Sequence, residues 1–402
     1  MPVGNHAILN DLTVGGFNLL DTNVGQYTSI EYFNTLFDPF PKINIGTLDY
    51  KNNILPNLKN DQPITINIGM ENGGDSLNYT FMPQKEVNVN DRSMSKQTAM
   101  KSKMFDVAGI DEGYLNMKAF GHMSKSYDTQ VSKMMEDFVK NVLKSNASFE
   151  AEETKGNQRF IARGNPAKVF GHYLSRSVSP NNKGSAYVLY RPDYNTYKYE
   201  SIEKMITQGP VATYQQRTTL AGASEQERLH SIQYIKVYGS NKNAWSHLKG
   251  TQQRSYDPDT GKATWPKTSP SEFKVAGQPQ DTGLDPRIER VNHYNREYER
   301  TQHSRNNTKS ATDIMRNRAD RAAYLNTLSK NYAEIAVPFN TVLKPGSMIN
   351  LEIPVKASDA SGNEKFSGPC LIISVNHTLL PGGRGVSYLR VTKGGGQEQS
   401  GA

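Results

Sequence analysis

Cysteine is almost absent from this chain: among 402 residues there is only Cys370, inside the apolar run Cys370, Leu371, Ile372, Ile373. One thiol can build neither a disulfide framework nor a cysteine zinc site. A small buried hydrophobe in a protein folded under reducing conditions is the expected role. No stretch approaches the ~20 apolar residues of a membrane span. The opening residues, Met1 to His6, lack a basic region followed by an apolar core, so no signal peptide is expected. There is no Gly-x-x-x-x-Gly-Lys-Ser/Thr phosphate loop, no His-Glu-x-x-His and no Gly-x-Ser-x-Gly. The eight histidines (His6, His122, His172, His230, His247, His293, His303 and His377) are dispersed, and no pair has helical ligand spacing. No metal or cofactor is expected.

Hydrophobic residues are also scarce, at 36% of the chain, and mean hydropathy is -0.68. Charged residues make up only 21%, so the polarity comes from Asn, Ser, Thr, Gln and Gly, which favour turns and strand ends. The length is too great for one compact core and suggests two to four domains. The net charge of +8 is spread along the chain with no run of five basic residues. A solvated basic surface is the expectation, ahead of an anionic partner.

The first ~110 residues read mainly as strands. Ile64, Ile66 and Ile68 alternate with Thr65 and Asn67, and Ile43-Asn44-Ile45 repeats the pattern. Between the opening and these strands the pattern predicts one short helix. Thr28 and Glu31 make a capping box, Ile30, Phe33, Leu36 and Phe37 share a helical face, and Asp38-Pro39 ends it. From Tyr114 to Gln208 the character changes. Tyr127, Val131, Met134, Met135, Phe138, Val139, Val142 and Leu143 recur at helical spacing, with the Met pair read as core filling. A second helix starts at Asn165-Pro166, as cap and first turn, and continues through Phe170, Tyr173, Leu174 and Val178. A buried strand at 186–190, a turn at Arg191-Pro192-Asp193 and a strand around Tyr197 and Tyr199 complete an α+β domain. Residues 231–238 are strand-like. Residues 239–305 lack periodicity and suit a peripheral insertion. Ser310 and Asp313 cap a predicted helix carrying Ala311, Ile314, Arg318, Ala322, Leu325 and Leu328. Strands then return at 348–353, 371–375 and 386–391, with turns at Gly362-Asn363 and Pro381-Gly382-Gly383.

Candidate chemistry is thin. Asp257-Pro258-Asp259-Thr260-Gly261 begins like a calcium loop but lacks the later ligands, so a hairpin turn is expected. Glu150, Glu152 and Glu153 are the one clustered-carboxylate candidate for glycoside hydrolysis. They lie in a polar stretch, not in an apolar cleft that would raise an acid's pKa, so a solvated loop is expected. Arg287, Arg290, Arg296 and Arg300 with Tyr294 and Tyr298 could stack on nucleic acid, but suit a protein interface equally. No residue is assigned as catalytic, cofactor-binding or metal-ligating.

Three stretches carry a family resemblance. The first runs from Ser29-Ile30-Glu31-Tyr32-Phe33 through Ile43-Asn44-Ile45 and Leu48-Asp49 to Leu55-Pro56. In the second, Lys125-Ser126-Tyr127 opens the long helix. It continues with Gly164-Asn165-Pro166, Tyr187-Val188-Leu189-Tyr190, the Tyr199 to Ile202 phrase and Gly209-Pro210-Val211-Ala212-Thr213-Tyr214. The third joins Val337-Pro338, Leu343-Lys344-Pro345-Gly346, 349–354, Phe366-Ser367-Gly368 and Ile373-Ser374-Val375-Asn376-His377. In this order the chain resembles the baseplate hub protein of contractile-tailed phages, related to late control protein D and to the hub portion of type VI secretion spikes. Residues 239–305 match nothing in that pattern. The family is non-catalytic, and His377, placed at a strand end, is expected to be a hydrogen-bonded structural residue.

The resemblance implies an α+β, mainly β protein with two similar antiparallel β-barrel tube domains, an α+β domain and a peripheral insertion. The expected division is a first barrel at 1–110, an α+β domain at 111–208, and a split second barrel at 209–238 and 331–393. An inserted domain takes up 239–330, with a helix near 310–330, and 394–402 is a flexible tail. The implied function is a homotrimeric hub at the tip of a virion tail. It would join a six-fold tube to a three-fold central spike, contacting tube or tube-initiator proteins, the tape-measure protein and other baseplate proteins. DNA would pass only through the lumen, and no membrane anchor is expected. The competing reading is a tail-associated cell-wall hydrolase.

Overall fold

The protein is described by a computed structural model. It covers residues 7–89, 103–217, 222–238 and 332–393, apart from 22, 51–53, 59–61, 72, 74, 181–185 and 355–365, together with short strands between 251 and 291 and with Arg321, Leu325 and Leu328.

Alternating apolar residues build the first set of strands. These are β1 (Ala7–Val14), β2 (Phe17–Asn18), β3 (Gln26–Thr35), β4 (Asp38–Asp49), β5 (Ile64–Met70), β6 (Leu77–Val89) and β7 (Lys103–Ile110), with one helical turn, α1 (Ile54–Asn57). They pair antiparallel in the order β3-β4-β7-β6-β5-β1-β2. Each strand turns one face inward, so Leu12, Ile30, Ile45, Ile66, Phe81, Phe105 and Val107 share one core.

The middle region begins at Asp111, whose side chain caps α2 (Glu112–Ala119). Then come β8 (Met123–Thr129), α3 (Val131–Asp137) running on as a π-helix over Phe138–Val142, β9 (Ser148–Ala151), β10 (Gln158–Gly164), α4 (Pro166–Arg176), β11 (Tyr187–Asp193), β12 (Thr196–Ser201) and α5 (Ile202–Ile206). β8 pairs with β10, and β12 lies between β11 and β9. Its own core gathers Met134, Met135, Phe138, Val139, Val169, Tyr173, Tyr187 and Tyr199. The methionines are thus core residues. α4 has Asn165 as its cap, accepting from the Ala167 N–H at 2.9 Å, and Pro166 in its first turn, as the sequence predicts.

A second set of strands follows: β13 (Pro210–Gln216), helix α6 (Glu225–Leu229), β14 (Ser231–Ile232) and β15 (Tyr234–Tyr238). Five short strands come next, β16 (Thr251–Gln253), β17 (Ser255–Asp257), β18 (Lys262–Thr264), β19 (Lys267–Thr268) and β20 (Glu289–Val291). β21 (Tyr332–Pro338), β22 (Met348–Glu352), β23 (Gly368–Leu380) and β24 (Arg384–Lys393) complete the chain. In the second set the pairing order is β15-β21-β24-β23-β22-β13-β14. Its core contains Tyr214, Ile335, Val337, Ile349, Leu351, Ile372, Val375 and Leu389, with Cys370 buried among them.

One strand joins the two sets. β23 pairs with β24 along one edge, while its other edge is divided: Gly368 to Leu371 face β22, and Ser374 to Leu379 face β3. Among the described residues fourteen strands therefore form one continuous sheet. The fold is α+β and mainly β.

Several sequence expectations need correction. Residues 28–37 are not a helix. They form β3 and the tight turn into β4, with Ile30, Tyr32 and Asn34 pointing inward and Phe33 outward. The period is two, and the apparent helical spacing mixed both faces of a strand. The helix expected from Tyr127 starts only at Val131, because Tyr127 lies in β8 opposite Phe160. Arg191-Pro192-Asp193 is not the turn. These residues end β11 at a bulge between Tyr190 and Asp193, and Tyr194 and Asn195 make the turn. The stretch 231–238 is two strands separated by Gln233. Around the pseudo-calcium loop, β17 and β18 pair as a hairpin with Asp257 opposite Lys262; residues 258–261 lie outside the described residues, as do Arg296, Arg300, Ser310, Asp313, Gly362-Asn363 and 394–402. Pro381, Gly382 and Gly383 do form the β23–β24 turn, and both glycines have positive φ.

Core packing in the first set has no slack at Gly109 on β7. A Cβ there would meet Ile43 Cγ2 at 2.8 Å, Phe81 Cβ at 2.9 Å and Ile64 Cδ1 at 3.0 Å. Gly109→Ala is expected to lower stability by about 1–3 kcal/mol, read as a lower denaturant midpoint at unchanged m-value.

Candidate functional site

The clustered carboxylates do not make a catalytic pair. Glu150 sits on β9, and its Oε2 lies 3.3 Å from Lys198 Nζ. Glu152 is half-buried. Its Oε1 accepts from the Ser179 hydroxyl at 2.7 Å, and its Oε2 accepts from the Ser201 N–H at 2.8 Å and hydroxyl at 2.7 Å. Ser201 is the cap of α5, so Glu152 fixes the start of that helix. The Glu153 side chain is exposed, and its carbonyl accepts from the Tyr187 hydroxyl at 3.0 Å. Glu150 is solvated as expected, but on a strand; Glu152 lies in the loop after β9, where three donors hold its carboxylate. Among the described residues no group of three or more His, Cys, Asp or Glu side chains could hold a metal ion.

His377 lies within β23, not at its end. Its Nδ1 is 2.8 Å from the Ser387 hydroxyl, and its ring stacks on Tyr32 at 6.0 Å and meets Phe339 edge-on at 5.0 Å. Burial depresses its pKa to about 3, so the ring is neutral. It is a structural residue at the junction of the two strand sets.

The most elaborate polar cluster holds the middle region to the first set. Asp111 follows β7, and Arg191 lies in β11. The Arg191 guanidinium forms an ion pair with Asp111 Oδ2, and the two side chains are 7% and 0% exposed. Asp111 Oδ1 accepts from the Gly113 N–H at 2.8 Å and from the Tyr197 hydroxyl at 3.4 Å. Arg191 also donates to the Tyr194 carbonyl. The Arg191 carbonyl accepts from Asn34 Nδ2 at 2.7 Å, across to β3. The rings of Tyr79, Tyr194 and Tyr197 lie 5.3, 4.7 and 4.8 Å from the guanidinium carbon, within cation–π range. Burial alone would lower the Arg191 pKa, but Tyr79, Asp111 and Tyr197 raise it above its usual value, so the group stays cationic. The arrangement contains no nucleophile or exposed base. What it can do is hold two sheets in fixed register.

Outside, the continuous sheet presents a row of rings. Tyr234, Ala336, Tyr388, Asn376, Phe33 and Lys42 stand opposite one another across β15, β21, β24, β23, β3 and β4, and directly opposed residues share a face. Tyr234, Tyr388 and Phe33 are 50%, 49% and 39% exposed. In the neighbouring row Glu334 bonds Arg390 at 3.0 Å and accepts from the Tyr238 hydroxyl at 3.1 Å. This face crosses from one strand set to the other. It offers apolar and polar contact area.

No protein-family model matches the chain, and no curated protein matches it by sequence. Solved structures do resemble it. A tail protein from Neisseria meningitidis MC58 superposes with a TM-score of 0.58 at 10% identity, covering 97% of this chain and 96% of that one. The 43 kDa tail protein of prophage MuSo2 from Shewanella oneidensis gives 0.52 at 11% identity, covering 96% and 98%. An Escherichia coli component of the type VI secretion system gives 0.48 at 9% identity over 96% and 76%. The chain has the fold of phage tail proteins, as the resemblance in its sequence implies. At these identities the likeness is one of fold.

Two predictions follow from the buried charges. Asp111→Ala or Arg191→Met alone leaves one charge uncompensated and is expected to cost about 3–5 kcal/mol. The double variant should cost less than the sum, giving a coupling energy measurable by a denaturation cycle. The second concerns pH. Glu203 on α5 is raised to about 7 from 4.5, chiefly by burial, with Glu152 adding to the rise. Between those values the folded state holds a proton that the unfolded state has released, so stability is lost as pH rises from 4.5 to 7. His377 has the opposite sign: lowered to about 3 from 6.5, it costs stability as pH falls through that window. The two oppose each other between 4.5 and 6.5. Glu203→Gln should therefore gain stability relative to the parent as pH rises through 4.5–7, in urea titrations across that range.

Proposed function

We propose that this protein is a structural baseplate hub at the tip of a phage-type tail. Three copies form a ring that joins a six-fold tail tube to a three-fold central spike. The ring surrounds the channel through which the tape-measure protein and DNA pass. The protein acts by assembly and carries no catalytic site. It resides in the virion tail, and other baseplate proteins bind its outer surface.

One observation carries this reading. The two strand sets repeat one plan. Taken in chain order, β1, β3, β4, β5, β6 and β7 correspond to β13, β15, β21, β22, β23 and β24. The pairings β3-β4-β7-β6-β5-β1 then match β15-β21-β24-β23-β22-β13 at every step. The strands β6 and β23 are both 13 residues long. The one departure is that β13 runs parallel to β22, whereas β1 runs antiparallel to β5. A chain carrying two such units supplies six to a tube when three chains assemble, while offering three equivalent sites to a spike. The units are then two similar barrels, residues 1–110 and the split 209–238 with 331–393, related by a rotation near 60° about the tube axis. The 111–208 domain and the 239–330 insertion lie at the periphery or toward the spike. The fold shared with tail proteins over nearly the whole chain supports the same reading.

Mass photometry of the protein with its spike should show three copies of the 44.9 kDa chain. A stable complex with two or four copies would overturn the reading.

A further inference from the structure

The start of β11 carries a second charged contact, apart from the Arg191 cluster. Arg321, Leu325 and Leu328 are helical, and their spacing of four and three puts them on one face. The two leucines join an apolar cluster with Leu36, Val188, Ile202 and Met205. Arg321, one turn ahead of Leu325, donates to the Tyr187 carbonyl. The residue before Tyr187 is Ala186, and its N–H meets both oxygens of Glu203, at 3.2 and 3.1 Å. Arg321 and Glu203 therefore hold consecutive residues, and their charges attract. Two leucines and one arginine make a far smaller contact than the strand pairing on either side of it. Such a contact can open while the sheet stays closed.

Glu203 makes that opening sensitive to protons. With the helical face in place its carboxyl is buried and holds a proton up to about 7 in place of 4.5; Glu152 adds to the rise, and Arg321 opposes it. The other groups nearby do not change charge in this range. Burial pushes the Tyr187 and Tyr199 hydroxyls above their usual value. Burial lowers Arg321 from 12.5, but a guanidinium stays cationic. Lys204, next to Glu203 on α5, pairs with Glu200 at 3.1 Å. Lifting the face away returns the carboxyl to water, where it ionises at its ordinary value. The open state thus binds fewer protons, and rising pH favours it. We propose that Arg321, Leu325 and Leu328 form a proton-controlled latch on the corner between β11 and α5, seated while Glu203 is protonated and released when Glu203 ionises. Attachment of the chain just ahead of β21 to the middle region thereby becomes a function of pH, whatever the number of copies in the assembly.

Hydroxyl-radical footprinting of the full chain reads the latch. Met205 and Leu328 should be protected at pH 5 and labelled at pH 8. Met134 and Met135, in the core of the middle region, should stay protected at both. Between 4.5 and 7 the ratio of seated to released latch should fall by up to about tenfold per pH unit. Glu203→Gln removes the titration, leaves an oxygen to accept from Ala186 and should keep Met205 protected at pH 8. Leu328→Ala weakens the latch without touching the carboxyl and should bring Met205 labelling to lower pH. Equal protection at pH 5 and pH 8 in both the parent and Leu328→Ala would refute the latch. So would a Glu203→Gln chain that still opens at pH 8, or labelling of Met134 and Met135 together with Met205, which marks general loosening.

Discussion

A guanidinium buried between two sheets needs partners for its charge, and the geometry of this protein follows from the partners Arg191 has. Its charge faces Asp111, its carbonyl is held by Asn34, and three tyrosine rings close around it. The donors and acceptors come from β3, from the end of β7 and from β11. Any slip between the middle region and the first strand set would leave a charge unpaired in an apolar surrounding, at a cost of several kcal/mol. The cluster thus supplies orientation more than net stability.

β23 plays the equivalent part between the two strand sets. It belongs to the second set by its pairing with β22 and β24, and to the first by its pairing with β3. The inward side of that joint is a packed stack of Tyr32, His377 and Phe339. The outward side is the row of Phe33, Asn376 and Tyr388. Burial keeps His377 neutral there, and its Nδ1 pairs with the Ser387 hydroxyl. A ring carrying an N–H and a lone pair can pack against aromatic faces and still satisfy its polar atoms, which neither an aliphatic residue nor a charged one could do.

Elements built on clean local patterns were legible in the sequence. The alternation at Ile64, Ile66 and Ile68 became β5, Asn165-Pro166 opened α4, and the order of phrases pointed to the tail-protein fold. Legibility failed where a partner far along the chain inverted the local rule. In β3 the inward Asn34 and the outward Phe33 exchange the usual roles of polar and apolar residues, because Asn34 reaches Arg191 and Phe33 belongs to a shared outer face. Arg191 and Asp111 are 80 residues apart, so a reading of neighbours sees an ordinary turn residue and an unremarked acid. Glu152 looked solvated for the same reason: its three donors come from Ser179 and Ser201. The Tyr127 error was smaller, a strand residue whose spacing continued into the helix beyond it.

The β3–β23 joint also sets a timetable for the newborn chain. Thr35 meets the Ile373 carbonyl across 338 residues. At ~5–20 residues per second of synthesis, the edge of β3 waits ~17–68 s for its partner to be made. During that interval the first strand set is nearly complete and has a bare, pairing-competent border, on a polysome where neighbouring nascent chains carry the same border. Orderly production of this protein depends on keeping that border apart from its copies until the last sixty residues arrive.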